Sequence, residues 1–296
     1  MEHEYRYPLD DKPLDLSPYC MRHSGDITEV YKTVGEEKLR AAWYLPQPDA
    51  HKRYPGVILI HGGGWQGRKI FLDQATWSGD YLGFLGRYLA ERGILAVSID
   101  YRMARDNAQT AGYQLTDLYG DCADAVRYIA GRGAAFGLDT DRVAVLGESA
   151  GGYLAAALLT FPYESLPIHF RAGVLVNAIT ALTGHWHKAV PHSTDCALLR
   201  ALTDGERECA LSPVRHIGAD TPPVLLLHGD SDSCVPPQQS ADFHRTMLET
   251  GRPSELIWLP DTDHAFLLAE YTPQQAAART AVRLIEEHLR QMLKER

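Results

Sequence analysis

A serine stands at the apex of Gly147-Glu148-Ser149-Ala150-Gly151-Gly152. The apolar residues Val143-Ala144-Val145-Leu146 precede it, and an alanine- and leucine-rich stretch, residues 153–160, follows. That order reads as strand, tight turn, helix. Only small residues let a chain reverse so sharply, and the turn leaves its serine exposed on strained backbone. The chemistry open to such a serine is nucleophilic attack. A hydroxyl is a poor nucleophile at neutral pH, so it needs a base within hydrogen-bond reach and an acid that orients the base. It also needs backbone donors aimed at the oxyanion of a tetrahedral intermediate.

Each partner has a candidate. His61-Gly62-Gly63-Gly64-Trp65 directly follows the apolar run Val57-Ile58-Leu59-Ile60. Consecutive glycines after a buried strand free the backbone to point N–H groups into a cavity. Gly63 and Gly64 are the expected donors from this loop, and Ala150, next to the serine, supplies another. His61 reads as a residue that holds the loop. Trp65 has two readings, lining an acyl pocket or packing under the loop. The acid lies after Pro223-Val224-Leu225-Leu226-Leu227, in His228-Gly229-Asp230-Ser231-Asp232-Ser233-Cys234-Val235-Pro236. Asp232 is favoured and Asp230 is the alternative; both also suit turn hydrogen bonds. Cys234 is expected to be a buried packing residue. The base is His264, in Asp261-Thr262-Asp263-His264-Ala265-Phe266. Of thirteen histidines, only His264 and His288 lie beyond the acid strand and its following helix. His288 falls in a charged amphipathic helix and is expected on its surface. The chain order Ser, acid, His suits a serine on a strand-to-helix turn.

With these motifs in view, the chain resembles an α/β-hydrolase of the esterase and lipase superfamily. More narrowly, it is similar to the carboxylesterase and acetyl-esterase branch whose oxyanion loop reads His-Gly-Gly-Gly-Trp. The resemblance runs from about Leu39 to the end of the sequence. It implies Ser149 as nucleophile, His264 as base, Asp232 as acid, and Gly63, Gly64 and Ala150 around the oxyanion. Ala96-Val97-Ser98-Ile99-Asp100-Tyr101-Arg102 resembles the end of the family's central strand. Leu211-Ser212-Pro213 resembles the segment before its acid strand. Some members of this branch remove acetyl or feruloyl groups from plant polysaccharides. Residues 66–81 and 181–220 match no motif of the family.

The elements that must position these residues follow a β/α alternation. Residues 29–34 and 39–45 read as an antiparallel edge pair joined at Gly35. Strands are expected at 57–60, 95–99, 143–146, 173–176, 224–227 and 256–259. Helices are expected at 81–92, ended by Gly93, and at 114–132, 238–250 and 274–293. Continuously apolar strands imply a mostly parallel sheet buried between helix layers. Residues 1–26 read as an irregular arm, and 181–220 as a small lid or insert on one α/β-hydrolase domain, residues 1–296.

Composition narrows the function classes. The formal net charge of −9 disfavours nucleic acid and anionic lipid as partners. No run is apolar enough to span a membrane. Residues 1–16 carry mixed charge and no apolar core of a secretory signal. Five scattered cysteines read as reduced thiols of a cytoplasmic protein. No cofactor is needed. His185, His187 and His192 have no Cys or carboxylate at ligand spacing, so no metal is expected. Trp65 and Trp186 are candidate substrate-binding residues, with core packing the default for any single aromatic. The expected activity is hydrolysis of carboxylic esters with short acyl groups, acetyl above all, on small molecules or oligosaccharides. The alternatives are an arylformamidase-type amide hydrolase and a non-catalytic binding protein on the same scaffold. A homodimer is compatible with the exposed final helix and edge strands.

Overall fold

Alternate residues of each apolar run face opposite ways, and both faces of the sheet are buried. Ile58 and Ile60 point into one core, whereas Val57 and Leu59 point into the other. The computed structural model describes residues 4–9, 14–16, 19, 25–49, 51–65, 82–103, 113–162, 165–183, 208–267 and 275–295.

Among these residues the strands are β1 (Glu4–Arg6), β2 (Ile27–Val34), β3 (Glu37–Tyr44), β4 (Tyr54–Ile60), β5 (Leu95–Ile99), β6 (Leu138–Glu148), β7 (Ala172–Val176), β8 (Val224–Gly229) and β9 (Ser254–Leu259). The helices are α1 (Gly83–Ala90), α2 (Leu115–Arg132), α3 (Ala150–Thr160), α4 (Gln238–Glu249) and α5 (Gln275–Met292). The strands form one sheet in the order β1-β9-β8-β7-β6-β4-β5-β3-β2. Pairing is parallel from β5 through β1 and antiparallel at β2–β3 and β3–β5. Residues of α1 and α5 bury one face, and residues of α2, α3 and α4 bury the other. This is the α/β-hydrolase fold.

Sheet order reverses at β4, which is flanked by β5 on one side and β6 on the other. In an open parallel sheet such a reversal leaves a crevice beyond the carboxyl ends of the strands, where ligands bind. His61, Ser149, Asp232 and His264 all lie within a few residues of such ends, after β4, β6, β8 and β9.

Three expectations change. Residues 4–6, read as part of an irregular arm, form β1, which pairs in parallel with Leu256, Ile257 and Trp258 of β9. Three residues carry no apolar pattern of their own; the edge of β9 makes them a strand. His288 is buried rather than on the surface of its helix. It continues the buried stripe of Ala277, Ala281 and Leu284 at helical spacing. Of the 181–220 segment, expected as a lid or insert, residues 184–207 lie outside the described residues, and its described ends pack into the body. Leu182, Leu211, Ser212 and Pro213 are buried, and Ser212 Oγ accepts the Leu182 N–H at 2.9 Å. No helix among the described residues is long and apolar enough to cross a membrane.

Candidate active site

Glycines press the turn after β6 against its neighbours. A methyl group at Gly147 would strike the Gly151 carbonyl, and one at Gly151 would strike the carbonyls of Ile60 and His61. Ser149 is held between them at φ 54° and ψ −120°, a left-handed conformation that costs on the order of 1–3 kcal/mol. Its own N–H donates to the Val176 carbonyl at 2.8 Å, which pins the turn to β7. Ala150 opens α3, so its N–H belongs to the first helical turn, where donors lack intrahelical acceptors and the helix dipole is positive.

The side chains expected to act together meet at this turn. His264 Nε2 lies 3.0 Å from Ser149 Oγ, and His264 Nδ1 lies 2.7 Å from Asp232 Oδ2. The second Asp232 oxygen accepts the N–H groups of Cys234 at 2.9 Å and Val235 at 2.8 Å. Burial works against the Asp232 carboxylate, but hydrogen bonds from His228 and His264 outweigh it and hold the group well below the usual range. Burial likewise disfavours a charged His264. The Asp232 hydrogen bond and the charges of Glu148, Asp232 and Asp263 outweigh that, and the imidazole is raised above its ordinary 6.5.

The alternative acid, Asp230, is engaged elsewhere. It pairs with Arg6 of β1 at 2.8 Å and accepts the Asp261 N–H at 2.8 Å. Asp263 joins the two loops from the other side. Its carboxylate accepts the N–H groups of Ser233 at 2.8 Å and His264 at 2.7 Å.

The glycine loop lies against the serine turn. A methyl group at Gly62 would strike the Glu148 carboxylate and come within 3.0 Å of Ser149 Cβ. Gly63 and Gly64 have φ of 104° and 60°, and Trp65 follows at 58°. Two glycines therefore stand where left-handed backbone is required. His61 is buried, and its Nδ1 donates to the Gly62 carbonyl at 2.8 Å. Burial lowers its pKa to about 4, against the opposing pull of that hydrogen bond. Trp65 is buried and meets Tyr153 of α3 edge-on, with centroids 5.5 Å apart, so it packs beneath the loop. Trp186 and His185, His187 and His192 lie outside the described residues. Cys234 is exposed, not the buried packing residue expected. Among the described residues no group of His, Cys, Asp and Glu is arranged to hold a metal.

Four residues at the site were not singled out by the sequence. Glu148 Oε1 stands 4.0 Å from His264 Nε2. Tyr101 donates to the His61 carbonyl at 2.8 Å. Asp263 accepts the His264 N–H at 2.7 Å, and His228 Nε2 lies 3.3 Å from Asp232 Oδ2. Glu148 and Asp263 adjoin the serine and the histidine, and that adjacency was the available signal.

Residues 86–291 match the model of the prolyl oligopeptidase family. The chain belongs to the prolyl oligopeptidase family. The chain is similar to the probable carboxylic ester hydrolase LipM of Mycobacterium tuberculosis, at 28% identity over 88% of this chain and 59% of that protein. It is also similar to the probable isoprenylcysteine alpha-carbonyl methylesterase ICMEL1 of Arabidopsis thaliana, at 25% identity over 86% of this chain and 53% of that one. It therefore spans a little over half the length of these relatives. Among solved structures, esterase 2 of Thermogutta terrifontis superimposes with a TM-score of 0.75 at 26% identity, covering 92% of this chain and 97% of that one. The same esterase has been solved with propionate and with butyrate bound. This prolyl oligopeptidase-family chain thus superimposes on an esterase over 92% of its length.

Proposed function

We propose that this protein is a serine hydrolase that cleaves carboxylic esters through an acyl-enzyme. The observation that carries the reading is the continuous relay from Ser149 Oγ to His264 at 3.0 Å and from His264 to Asp232 at 2.7 Å. His264 Nε2 takes the hydroxyl proton as Ser149 Oγ attacks the ester carbonyl. The oxyanion that forms is held by the N–H groups of Gly63, Gly64 and Ala150. Removal of one such donor costs roughly 10²–10³ in rate in serine hydrolases. The tetrahedral intermediate collapses, the C–O bond breaks, and the alcohol leaves with the proton from His264. Water then attacks the acyl-enzyme by the same route and returns Ser149 to its hydroxyl form. Asp232 fixes the tautomer and orientation of His264 and stabilises its cation.

The proposed substrates are esters with short acyl groups. Propionate and butyrate bound to the similar esterase support that choice. Acetylated sugars fit the same acyl class.

The test is turnover of p-nitrophenyl acetate, butyrate and octanoate by the native protein and by Ser149→Ala. The reading expects rates that fall with acyl length and vanish in the variant. Native-like turnover by Ser149→Ala overturns it. Amide cleavage is the second reading, favoured by membership in a family named for a peptidase. An N-formyl aryl amide hydrolysed faster than the acetate ester would select it.

A further inference from the structure

Two imidazoles converge on one oxygen of Asp232. His264 Nδ1 lies 2.7 Å from Oδ2, and His228 Nε2 lies 3.3 Å from the same atom. His228 is the penultimate residue of β8 and has no exposed surface. Its Nε2 also lies 3.0 Å from the Val235 carbonyl. Both neighbours of Nε2 are acceptors, so that nitrogen carries a hydrogen, which it donates to the Val235 carbonyl with Asp232 Oδ2 alongside. Nδ1 meets Ser240 Oγ, in the first turn of α4, at 2.7 Å. The ring is fixed at three points and cannot turn without breaking contacts on each side.

The other edge of the carboxylate is held through Oδ1 by the Cys234 and Val235 N–H groups. Oδ2, on the other edge, meets His264 Nδ1 at 2.7 Å. His228 Nε2 approaches that same oxygen at 3.3 Å, a second contact on the edge that His264 uses. It also draws density from Oδ2, the atom that stabilises a charged His264.

We propose that His228 is a positioning residue for the acid of the triad, setting the plane of the Asp232 carboxylate and moderating its pull on His264. The proposal rests on the serine-hydrolase reading above. Among the described residues, the charged groups that face His264 are Asp232, Glu148 at the end of β6 and Asp263 in its own turn. His228 reaches His264 only through Asp232, so removing it alters none of the other charges.

The experiment compares the native protein with His228→Met and His228→Gln. Glutamine keeps an N–H donor near the position of Nε2. Two readouts are taken: the pH profile of kcat/KM for p-nitrophenyl acetate, and the downfield proton resonance of the His264–Asp232 hydrogen bond. His228→Met is expected to lose about tenfold in kcat with KM held within about twofold. Its acid limb should move up by about half a pH unit, because Oδ2 then serves His264 alone. The downfield resonance should shift with it. His228→Gln should return both readouts toward native.

A native acid limb and native resonance in His228→Met overturn the proposal, whatever happens to stability. So does a shift in His228→Met that His228→Gln fails to reverse. If His228→Met does not fold, Ser240→Ala loosens the same ring from its far side; a resonance unchanged there also overturns it. The resonance needs no substrate. A protein that turns over no ester therefore refutes the ester-hydrolase reading while the His228 contact is still judged.

Discussion

The hydroxyl of Tyr101 donates to the carbonyl of His61 at 2.8 Å, and the two rings stack with centroids 4.5 Å apart. Tyr101 follows β5 and His61 follows β4, so the contact ties two neighbouring strand ends where the glycine loop begins. The same hydroxyl lies 3.3 Å from the Gly62 carbonyl. Tyr101→Phe keeps the stack and removes the hydrogen bond to the His61 carbonyl, at a cost of about 0.5–1.5 kcal/mol. The variant should unfold at lower urea. Its kcat should fall more than its KM changes, because the loop donors act on the transition state. A native kcat would mean that the loop holds its shape without this hydroxyl.

The two aspartates after β8 should separate cleanly. Asp232→Asn removes the acceptor of the His264 hydrogen bond and is expected to lower kcat by roughly 10³–10⁴. Asp230→Asn weakens an exposed pair with Arg6 and should leave kcat within about threefold, because such pairs contribute little. Steady-state kinetics on the two variants decide the matter. Equal losses would assign the role to the turn as a whole.

Activity should depend on pH in a defined sense. In the proposed mechanism His264 acts as base only when neutral, and its pKa is raised above 6.5. The acid limb of kcat/KM should therefore have its midpoint above 6.5, with activity falling as the pH drops through it. Glu148→Gln removes a charge 4.0 Å from Nε2 and should lower that midpoint. An unmoved midpoint in Glu148→Gln would show that this carboxylate does not act on the base.

Stability should fall on mild acidification for a different reason. Burial holds His61 and His288 at about 4 in the fold, against 6.5 for an ordinary imidazole. Between those values the unfolded chain binds more protons than the folded one. The stabilising effect is thus complete above pH 6.5 and is lost as the pH falls toward 4. Each histidine accounts for a loss on the order of 3 kcal/mol. Nε2 of His288 is buried with no hydrogen-bond partner among the described residues. His288→Leu should be more stable than native at pH 5 and should flatten the dependence. Urea midpoints at pH 5 and pH 7 measure both effects; an unchanged slope would remove His288 from the account.

The sheet was legible because apolar runs bounded by turn residues can hardly be anything else once they recur with helices between them. Ser149, the glycine loop and His264 were legible because each follows such a run. The choice between Asp230 and Asp232 was not, since both sit in one turn. What separates them is Arg6, whose pairing with Asp230 depends on a strand that exists only beside β9. His228 looked like the end of an apolar run. Its role comes from Ser240 and Asp232 closing around it, which no local pattern records. His288 was readable in principle, since its spacing from Leu284 and Ala281 places it on the buried stripe, but its polarity argued against the position.

Both margins of the sheet are guarded. On one side lies β1, only three residues long and carrying Glu4 and Arg6. On the other lies β2, with Glu29 and Lys32 along it and an irregularity in register between Val30 and Lys32. Short length, charge and a broken register are the features that stop a foreign strand from zipping onto an open edge. β1 shields β9, the strand that leads into the loop bearing His264. Loss of those three residues would bare a row of unpaired amides directly beneath that loop. A truncated chain would then be prone to aggregate along β9.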